Sequence, residues 1–325
     1  MRSIKIIIIN ISLLISFVFV IEYFLPTISL PIYSERSINL REHNPNQSAI
    51  FNLNNGLDQI EFSTDKDGFL NNYDLTSKTD VIFFGGSTVE NIRIAAEKRF
   101  THQLQEKIKT KYECNFKILN AGVSGNNNLN SLFSFLSKGI PQKPNYVFLM
   151  GTLNDYGQLS KYGSYWDISN NQSVLNTNKG KLFNFLNFLK IYAFPDIYYN
   201  LKSMNFFTSD IINSVSTQEK KSYPIDNWED EYFSTLSTFK ELSNNFNIKF
   251  VFLTEPFLSV SERKTKIDSL NAKIKSIKSL CLIDLEALVP KEEKYFIDNT
   301  HLSELGNELV SKILLDEIQW EINFK

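Results

Sequence analysis

The sequence has very few of the side chains that bind metals. Its 325 residues include two cysteines, Cys114 and Cys281, and three histidines, His43, His102 and His301. Neither a CxxC pair nor an HExxH motif occurs, which excludes zinc sites of the familiar spacings. We therefore predict that the protein has no metal centre.

An excess of charge of one sign and the glycine-rich phosphate loops are also missing. With 34 basic and 36 acidic side chains, the formal charge is −2, so a nucleic-acid partner has no electrostatic basis. Neither the Gly-Lys-Ser/Thr motif nor the Gly-x-Gly-x-x-Gly motif is present, and we predict no cofactor. The proportion of hydrophobic residues, 42%, is that of a folded protein.

One long apolar run stands at the start of the chain. Residues 4–25 read IKIIIINISLLISFVFVIEYFL, long enough for a helix to cross the hydrocarbon core. We predict a membrane anchor over residues 1–27. A cleaved signal peptide is the alternative, but signal peptides usually have a shorter apolar run that is followed by a small-residue cleavage site. Arg2 and Lys5 favour a cytoplasmic N-terminus, so the rest of the chain would be extracytoplasmic.

The remaining chain divides into an extension and an α/β domain. Residues 28–78 are polar and Asn-rich, and we interpret them as a stalk with a few short strands packed on the main domain. From residue 79 to 325, short apolar runs alternate with helical patterns, which predicts a doubly wound parallel sheet. The predicted strands are 80–84, 116–119, 146–150, 249–254 and 282–285. An insertion at about 156–225 is either a lid over the site or a decoration.

Small residues and polar side chains follow the first three strands. Gly85-Gly86-Ser87 allows a sharp turn from strand to helix that would present the Ser87 hydroxyl at the sheet edge, although serine is also a common helix N-cap. The second strand is followed by residues 120–126, which include Gly125, and the third by residues 151–155, which include Asn154. All of these positions belong to the edge where ligands bind in such sheets.

A histidine and an aspartate follow the last strand. Asp298 stands three residues before His301 at the predicted start of the closing helix, so its carboxylate can reach the imidazole ring. The alternative is that Asp298 and Thr300 only cap the helix. His102 is too far from Ser87 along its helix, and His43 lies in the stalk with nothing to anchor it beside the sheet. Glu255, after the fourth strand, is interpreted as a solvated loop carboxylate rather than a substrate contact.

Together these blocks resemble the SGNH/GDSL hydrolase family over about residues 80–320. The resemblance implies a flavodoxin-like five-stranded sheet of order 2-1-3-4-5 between two helical layers. It also implies Ser87 as nucleophile, His301 as base and Asp298 as its partner, with an oxyanion hole formed by Ser87, Gly125 and Asn154.

The same strand order would place Cys114 and Cys281 at opposite edges of the sheet, too far apart for a disulfide. The first block departs from the family pattern, because Gly86 replaces its aspartate. The third block also departs from it, because Thr152 stands in place of its glycine.

The function that follows is hydrolysis of O-acyl esters, with an acylated small molecule or an envelope carbohydrate as substrate. Acetyl is the expected acyl group, and proteins of polysaccharide synthesis are the expected partners. Two alternatives stay open: an O-acyltransferase that modifies a polysaccharide, and an inactive scaffold of the same fold. The intact set of Ser87, Asp298 and His301 argues against the scaffold.

Overall fold

The computed structural model describes residues 9–13, 16–17, 40–52, 59–70, 78–165, 228–259 and 262–320. Most of the predicted anchor and nearly all of the predicted insertion lie outside these residues. Residues 9–13 and 16–17 are helical and exposed. Among the described residues no helix has both the length and the apolar character needed to cross a membrane. The described residues from 40 onward belong to one compact unit.

The centre of this unit is a five-stranded parallel sheet, as the sequence predicts. A separate antiparallel hairpin precedes it and consists of β1 and β2. The sheet order is β4-β3-β5-β6-β7, which is the predicted order 2-1-3-4-5. The strands are β1 Ser48–Asn52, β2 Gln59–Ser63, β3 Val81–Gly85, β4 Ile118–Gly122, β5 Tyr146–Met150, β6 Lys249–Leu253 and β7 Leu282–Ile283.

Helices connect the strands and cover both faces of the sheet. Short 3₁₀ turns occur at Ala96–Lys98, Ile140–Gln142 and Glu293–Tyr295, and a π-helical turn, Phe135–Gly139, continues α3. The α-helices are α1 Ser87–Glu90, α2 Phe100–Tyr112, α3 Asn128–Ser134, α4 Leu153–Tyr162, α5 Trp228–Asn245, α6 Glu262–Lys275, α7 Leu285–Leu288 and α8 Glu304–Glu317. The closing helix therefore begins after His301, with Ser303 as its N-cap, and not at His301 as predicted.

The central strands are buried on both faces because successive side chains point to opposite helical layers. In β3, Val81 and Phe83 belong to the core beneath α2 and α8, while Ile82 and Phe84 belong to the core beneath α3 and α5. All five β3 residues are buried. This double burial explains why the strand is a continuous apolar run in the sequence.

The described part of the N-terminal extension packs against the sheet unit. Leu70 forms an antiparallel bridge to Asn120 on the edge strand β4, and its N–H donates to the Asn120 carbonyl at 2.8 Å. Phe69 and Leu70 are fully buried. Residues 59–70 therefore contribute to the core of the domain as well as leading into it.

The two cysteines are free thiols. Cys114 precedes the edge strand β4, and Cys281 precedes the opposite edge strand β7. Their positions agree with the prediction of two isolated thiols.

Candidate active site

Ser87 is the first residue of α1, directly after β3 and a two-glycine turn. Gly85 has φ +157°, and a Cβ there would lie 2.4 Å from the Met150 carbonyl oxygen and 2.6 Å from Val89 Cγ2. Only glycine fits between these neighbours, so the chain can turn sharply at this point. As a result the Ser87 side chain is partly exposed at the carboxyl edge of the sheet.

The structure brings Ser87, His301 and Asp298 into one hydrogen-bonded chain. Nε2 of His301 lies 2.8 Å from Ser87 Oγ, and Nδ1 lies 2.9 Å and 2.8 Å from the two carboxylate oxygens of Asp298. A carboxylate beside Nδ1 favours the tautomer with the proton on Nδ1, which leaves the Nε2 lone pair free to accept from the serine hydroxyl. The three groups are therefore arranged for removal of the serine proton.

Asp298 also closes the turn that holds His301. Its Oδ1 accepts hydrogen bonds from the backbone N–H of His301 at 2.9 Å and of Thr300 at 3.0 Å. Partial burial works against ionisation, but these backbone donors and the His301 ring outweigh it and hold the pKa of Asp298 below its usual range. Asp298 thus stays ionised, and it both caps the turn and contacts the ring.

Arg93 makes a further contact with Asp298. Its Nη1 lies 3.0 Å from Asp298 Oδ2, and the two side chains are 53% and 41% exposed. An ion pair this exposed contributes little to stability. The sequence did not indicate Arg93, because it lies in a loop between Ser87 and α2 with no pattern linking it to Asp298.

Gly125 lies in the loop after β4, with φ +81°. This left-handed conformation explains why a glycine is needed there. The backbone N–H groups of Ser87 and Gly125 make no hydrogen bond to another described residue. They are therefore available to a substrate oxygen.

Asn154 lies in the first turn of α4, and its side chain reaches toward the turn before Ser87. Its Nδ2 donates to the Asn126 carbonyl at 2.8 Å and lies 2.4 Å from the position that a Cβ at Gly86 would occupy. The Asn154 amide therefore occupies the space that a side chain at position 86 would need. Thr152 is fully buried as the N-cap residue of α4.

Glu255 differs from its interpretation as a solvated loop carboxylate, because it is only 3% exposed. Its Oε2 accepts from the backbone N–H of Thr152 at 2.9 Å and of Leu153 at 2.6 Å. Its Oε1 accepts from Thr88 Oγ1 at 3.1 Å. A pair of unsatisfied helix N–H groups and a neighbouring hydroxyl therefore explain why this carboxylate is buried.

A second buried carboxylate lies next to Asn154. Asp155 is fully buried, and its Oδ1 accepts from the Asn128 N–H at 2.9 Å and from the Tyr165 hydroxyl at 2.5 Å. Burial raises the pKa of Asp155 to about 7, aided by the Glu255 charge, while the two hydrogen bonds act in the opposite direction. Burial likewise raises the pKa of Tyr165.

His43 also differs from its prediction, because it is anchored beside the sheet. Its ring packs edge-to-face on Phe62 with centroids 5.0 Å apart, and its Nε2 lies 2.9 Å from Glu90 Oε1. This separation suits an ion pair when the imidazole is protonated, although the two groups are not aligned as a hydrogen bond. The contact between His43 and Glu90 could not be predicted from the sequence, because the two residues lie far apart along the chain.

Within the described residues no group of three or more His, Cys, Asp or Glu side chains could hold a metal ion. The residues gathered around Ser87 are a serine, a histidine, an aspartate, an amide and backbone N–H groups. This is the donor set of covalent acyl-transfer chemistry.

The solved structures to which this chain is similar include those of two enzymes. Axe2, an acetylxylan esterase from Geobacillus stearothermophilus, has a TM-score of 0.48 and 17% identity over 75% of this chain and 96% of its own. An alpha/beta hydrolase enzyme from the metagenome of Lake Arreo, Spain, has a TM-score of 0.46 and 12% identity, covering 74% and 94%. No protein-family profile and no curated protein sequence matches this chain. Likenesses this distant carry no inference about its activity.

Proposed function

We propose that this protein is a serine esterase of the SGNH/GDSL type that cleaves O-acyl esters. The observation that carries the proposal is the continuous contact from Ser87 Oγ through the His301 ring to the Asp298 carboxylate. A binding module has no use for such an arrangement, whereas a hydroxyl nucleophile needs it at neutral pH.

The reaction would proceed through an acyl-enzyme. Ser87 Oγ attacks the ester carbonyl while His301 Nε2 takes its proton, and the imidazolium then protonates the departing alkoxide. Water, deprotonated by the same ring, attacks the acyl-serine, and the imidazolium returns that proton to Ser87 Oγ as the bond to the acyl group breaks and the carboxylic acid is released. Asp298 orients the ring and stabilises its charged form in both halves of the reaction.

Three donors are proposed for the oxyanion of the tetrahedral intermediates. They are the N–H groups of Ser87 and Gly125 and the side-chain amide of Asn154. The free state of both N–H groups among the described residues supports their assignment. In comparable sites, loss of one such donor lowers kcat by about 10²- to 10³-fold.

The proposed substrate is an acylated, most simply acetylated, carbohydrate of the cell envelope. The triad is open at the surface, with the His301 side chain 24% exposed and that of Asp298 41% exposed, which suits a substituent on a polymer. The apolar run at 4–25 supports a membrane-anchored protein with its catalytic domain outside the cytoplasm. Proteins of polysaccharide synthesis are proposed as its partners.

The test compares the full-length protein with Ser87→Ala, using p-nitrophenyl acetate. Ser87→Ala should abolish turnover and labelling by a fluorophosphonate probe. Ser237→Ala, which removes an exposed hydroxyl on α5, is the matched control and should keep both. Turnover that survives in Ser87→Ala would overturn the proposal.

Product analysis separates hydrolysis from acyl transfer. The esterase should release free acetate from an acetylated glycan in water. Acetylated acceptor glycan without free acetate would instead identify a transferase that uses the same three residues.

A further inference from the structure

The Arg41 side chain lies on the loop that carries Gly125. Its Nη1 donates to the Ser124 carbonyl oxygen at 3.3 Å, and a Cβ at Gly125 would lie 2.4 Å from the same nitrogen. Arg41 belongs to the extension before β1, far from this loop in sequence. The extension therefore reaches the rim of the proposed active site.

The carbonyl that Arg41 contacts belongs to the same peptide group as the proposed Gly125 donor. A peptide group is planar, so a hydrogen bond that fixes its C=O also fixes the direction of its N–H. A cationic donor on the oxygen further polarises the group and strengthens the N–H as a donor. The Arg41 guanidinium therefore acts on both the aim and the strength of the Gly125 N–H.

The backbone of Arg41 is connected to the second donor, Asn154. The Arg41 carbonyl oxygen accepts from Asn126 Nδ2 at 3.2 Å, and the Asn126 carbonyl accepts from Asn154 Nδ2 at 2.8 Å. One residue of the extension is thus linked to two of the three proposed oxyanion donors.

Ser124, whose carbonyl contacts Arg41, is also held through its side chain. The Ser124 hydroxyl donates to Glu90 Oε2, and Glu90 is only 2% exposed at the end of α1. The other carboxylate oxygen of Glu90 faces His43 at 2.9 Å. Glu90 of α1, the helix that carries Ser87, is therefore in contact both with the loop, through Ser124, and with His43 of the extension.

We propose that Arg41 is a positioning residue of the oxyanion hole, which it supports through the Ser124–Gly125 peptide and through Asn126. This inference rests on the proposed esterase function. It assigns the segment before β1 a part in catalysis, in addition to its place between the N-terminal run and the domain.

The experiment measures p-nitrophenyl acetate hydrolysis by the full chain carrying Arg41→Met, which keeps an unbranched stem and removes the guanidinium donors. We expect kcat to fall about 10-fold with KM within twofold, because the oxyanion forms only in the transition state. Arg41→Lys retains one cationic donor and should recover part of the loss. Lys66→Met, at an exposed lysine paired with Asp67, is the control for loss of a surface charge.

A double-mutant cycle tests the link to Asn154. Because part of the Arg41 effect passes through Asn126 to that amide, Arg41→Met should cost less in an Asn154→Ala background than in the parent. Fully multiplicative losses would contradict this link.

Three outcomes for Arg41→Met would overturn the inference. The first is an unchanged kcat. The second is a change in KM alone, which would make Arg41 a substrate-binding residue. The third is a lower melting temperature that accounts for the whole loss of activity. None of these outcomes contradicts the proposed esterase function, which is tested by the loss of activity in Ser87→Ala. Conversely, activity that survives in Ser87→Ala refutes the function whatever Arg41 does.

Discussion

Glu255 accepts a hydrogen bond from Thr88, the residue next to Ser87, at 3.1 Å, and thereby ties the loop after β6 to the turn that presents the proposed nucleophile. Its second oxygen accepts from the N–H groups of Thr152 and Leu153, directly before Asn154. A single buried carboxylate therefore fixes the distance between the nucleophile turn and the start of α4.

We predict that Glu255→Gln lowers kcat by about 10-fold with little change in KM. Glutamine has the same shape, but its single carbonyl oxygen cannot replace both charged oxygens, so the Asn154 helix end is held less firmly. Glu255→Ala leaves buried donors without acceptors and should lower the free energy of unfolding by about 3 kcal/mol. Steady-state kinetics and urea unfolding measure the two effects.

A glutamate on the protein surface supplies the matched control for Glu255. Glu241→Gln makes the same chemical change at an exposed position of α5, and it should leave both kcat and the free energy of unfolding unchanged. If Glu255→Gln matched the parent in kcat while Glu255→Ala unfolded, the residue would be structural only.

Gly86 and the Asn154 amide are too close to admit a side chain between them. We predict that Gly86→Asp, which restores the residue usual in the family that the sequence resembles, lowers activity instead of raising it. The new Cβ would lie 2.4 Å from Asn154 Nδ2, so the amide must move. Because the end of one side chain can shift at low cost, the melting temperature should change little while kcat falls by about 10- to 100-fold.

Gly86→Ala separates the steric effect from the charge. It introduces the same Cβ without a carboxylate, and it should reproduce most of the loss in kcat. Full activity in Gly86→Ala with low activity in Gly86→Asp would instead attribute the effect to the added negative charge near the oxyanion.

The sheet could be predicted from the sequence because its strands are buried on both faces. Residues 146–150 form a continuous apolar run, and the observed strand has the predicted bounds. Helix ends were harder to predict. The sequence placed the start of the closing helix at His301, but His301 belongs to the turn that Asp298 closes, and Ser303 is the N-cap of the helix.

The position of Ser87 was predictable because it follows β3 directly at the carboxyl edge of the sheet. Its contact with His301 and Asp298, which lie well beyond β7, was predicted from the family resemblance. The supporting contacts were not predictable. Glu255 looked like an ordinary loop carboxylate, since nothing in its neighbourhood along the chain shows that Thr88 and the start of α4 converge on it. Arg41 was hidden for the same reason, because its contacts with Ser124 and Asn126 depend on how the extension folds back.

Because the ion pair between Arg93 and Asp298 is exposed, we predict that breaking it has only a small effect on kcat. Arg93→Gln should change kcat less than about threefold, because Asp298 is already held by two backbone N–H groups and solvent screens the ion pair. Asp298→Asn, by contrast, should lower kcat by about 10³- to 10⁴-fold, because an amide facing Nδ1 favours the wrong tautomer. A loss for Arg93→Gln as large as that for Asp298→Asn would show that the arginine itself takes part in catalysis.

The raised pKa of Asp155 predicts how stability depends on pH. The folded protein holds this proton up to a pKa of about 7, whereas the unfolded chain releases it near the ordinary value of 3.8. Between pH 3.8 and 7 the folded state therefore binds more protons than the unfolded chain. The stabilisation that comes from the protonated Asp155 is present below pH 3.8 and is lost as pH rises toward 7.

Asp155→Asn keeps an acceptor for Asn128 and Tyr165 but cannot ionise, and at about pH 8 it should be more stable than the parent by about 2 to 4 kcal/mol. Urea unfolding at about pH 5 and about pH 8 measures this, with the exposed Asp230→Asn as control; an equal pH dependence in parent and Asp155→Asn would refute it.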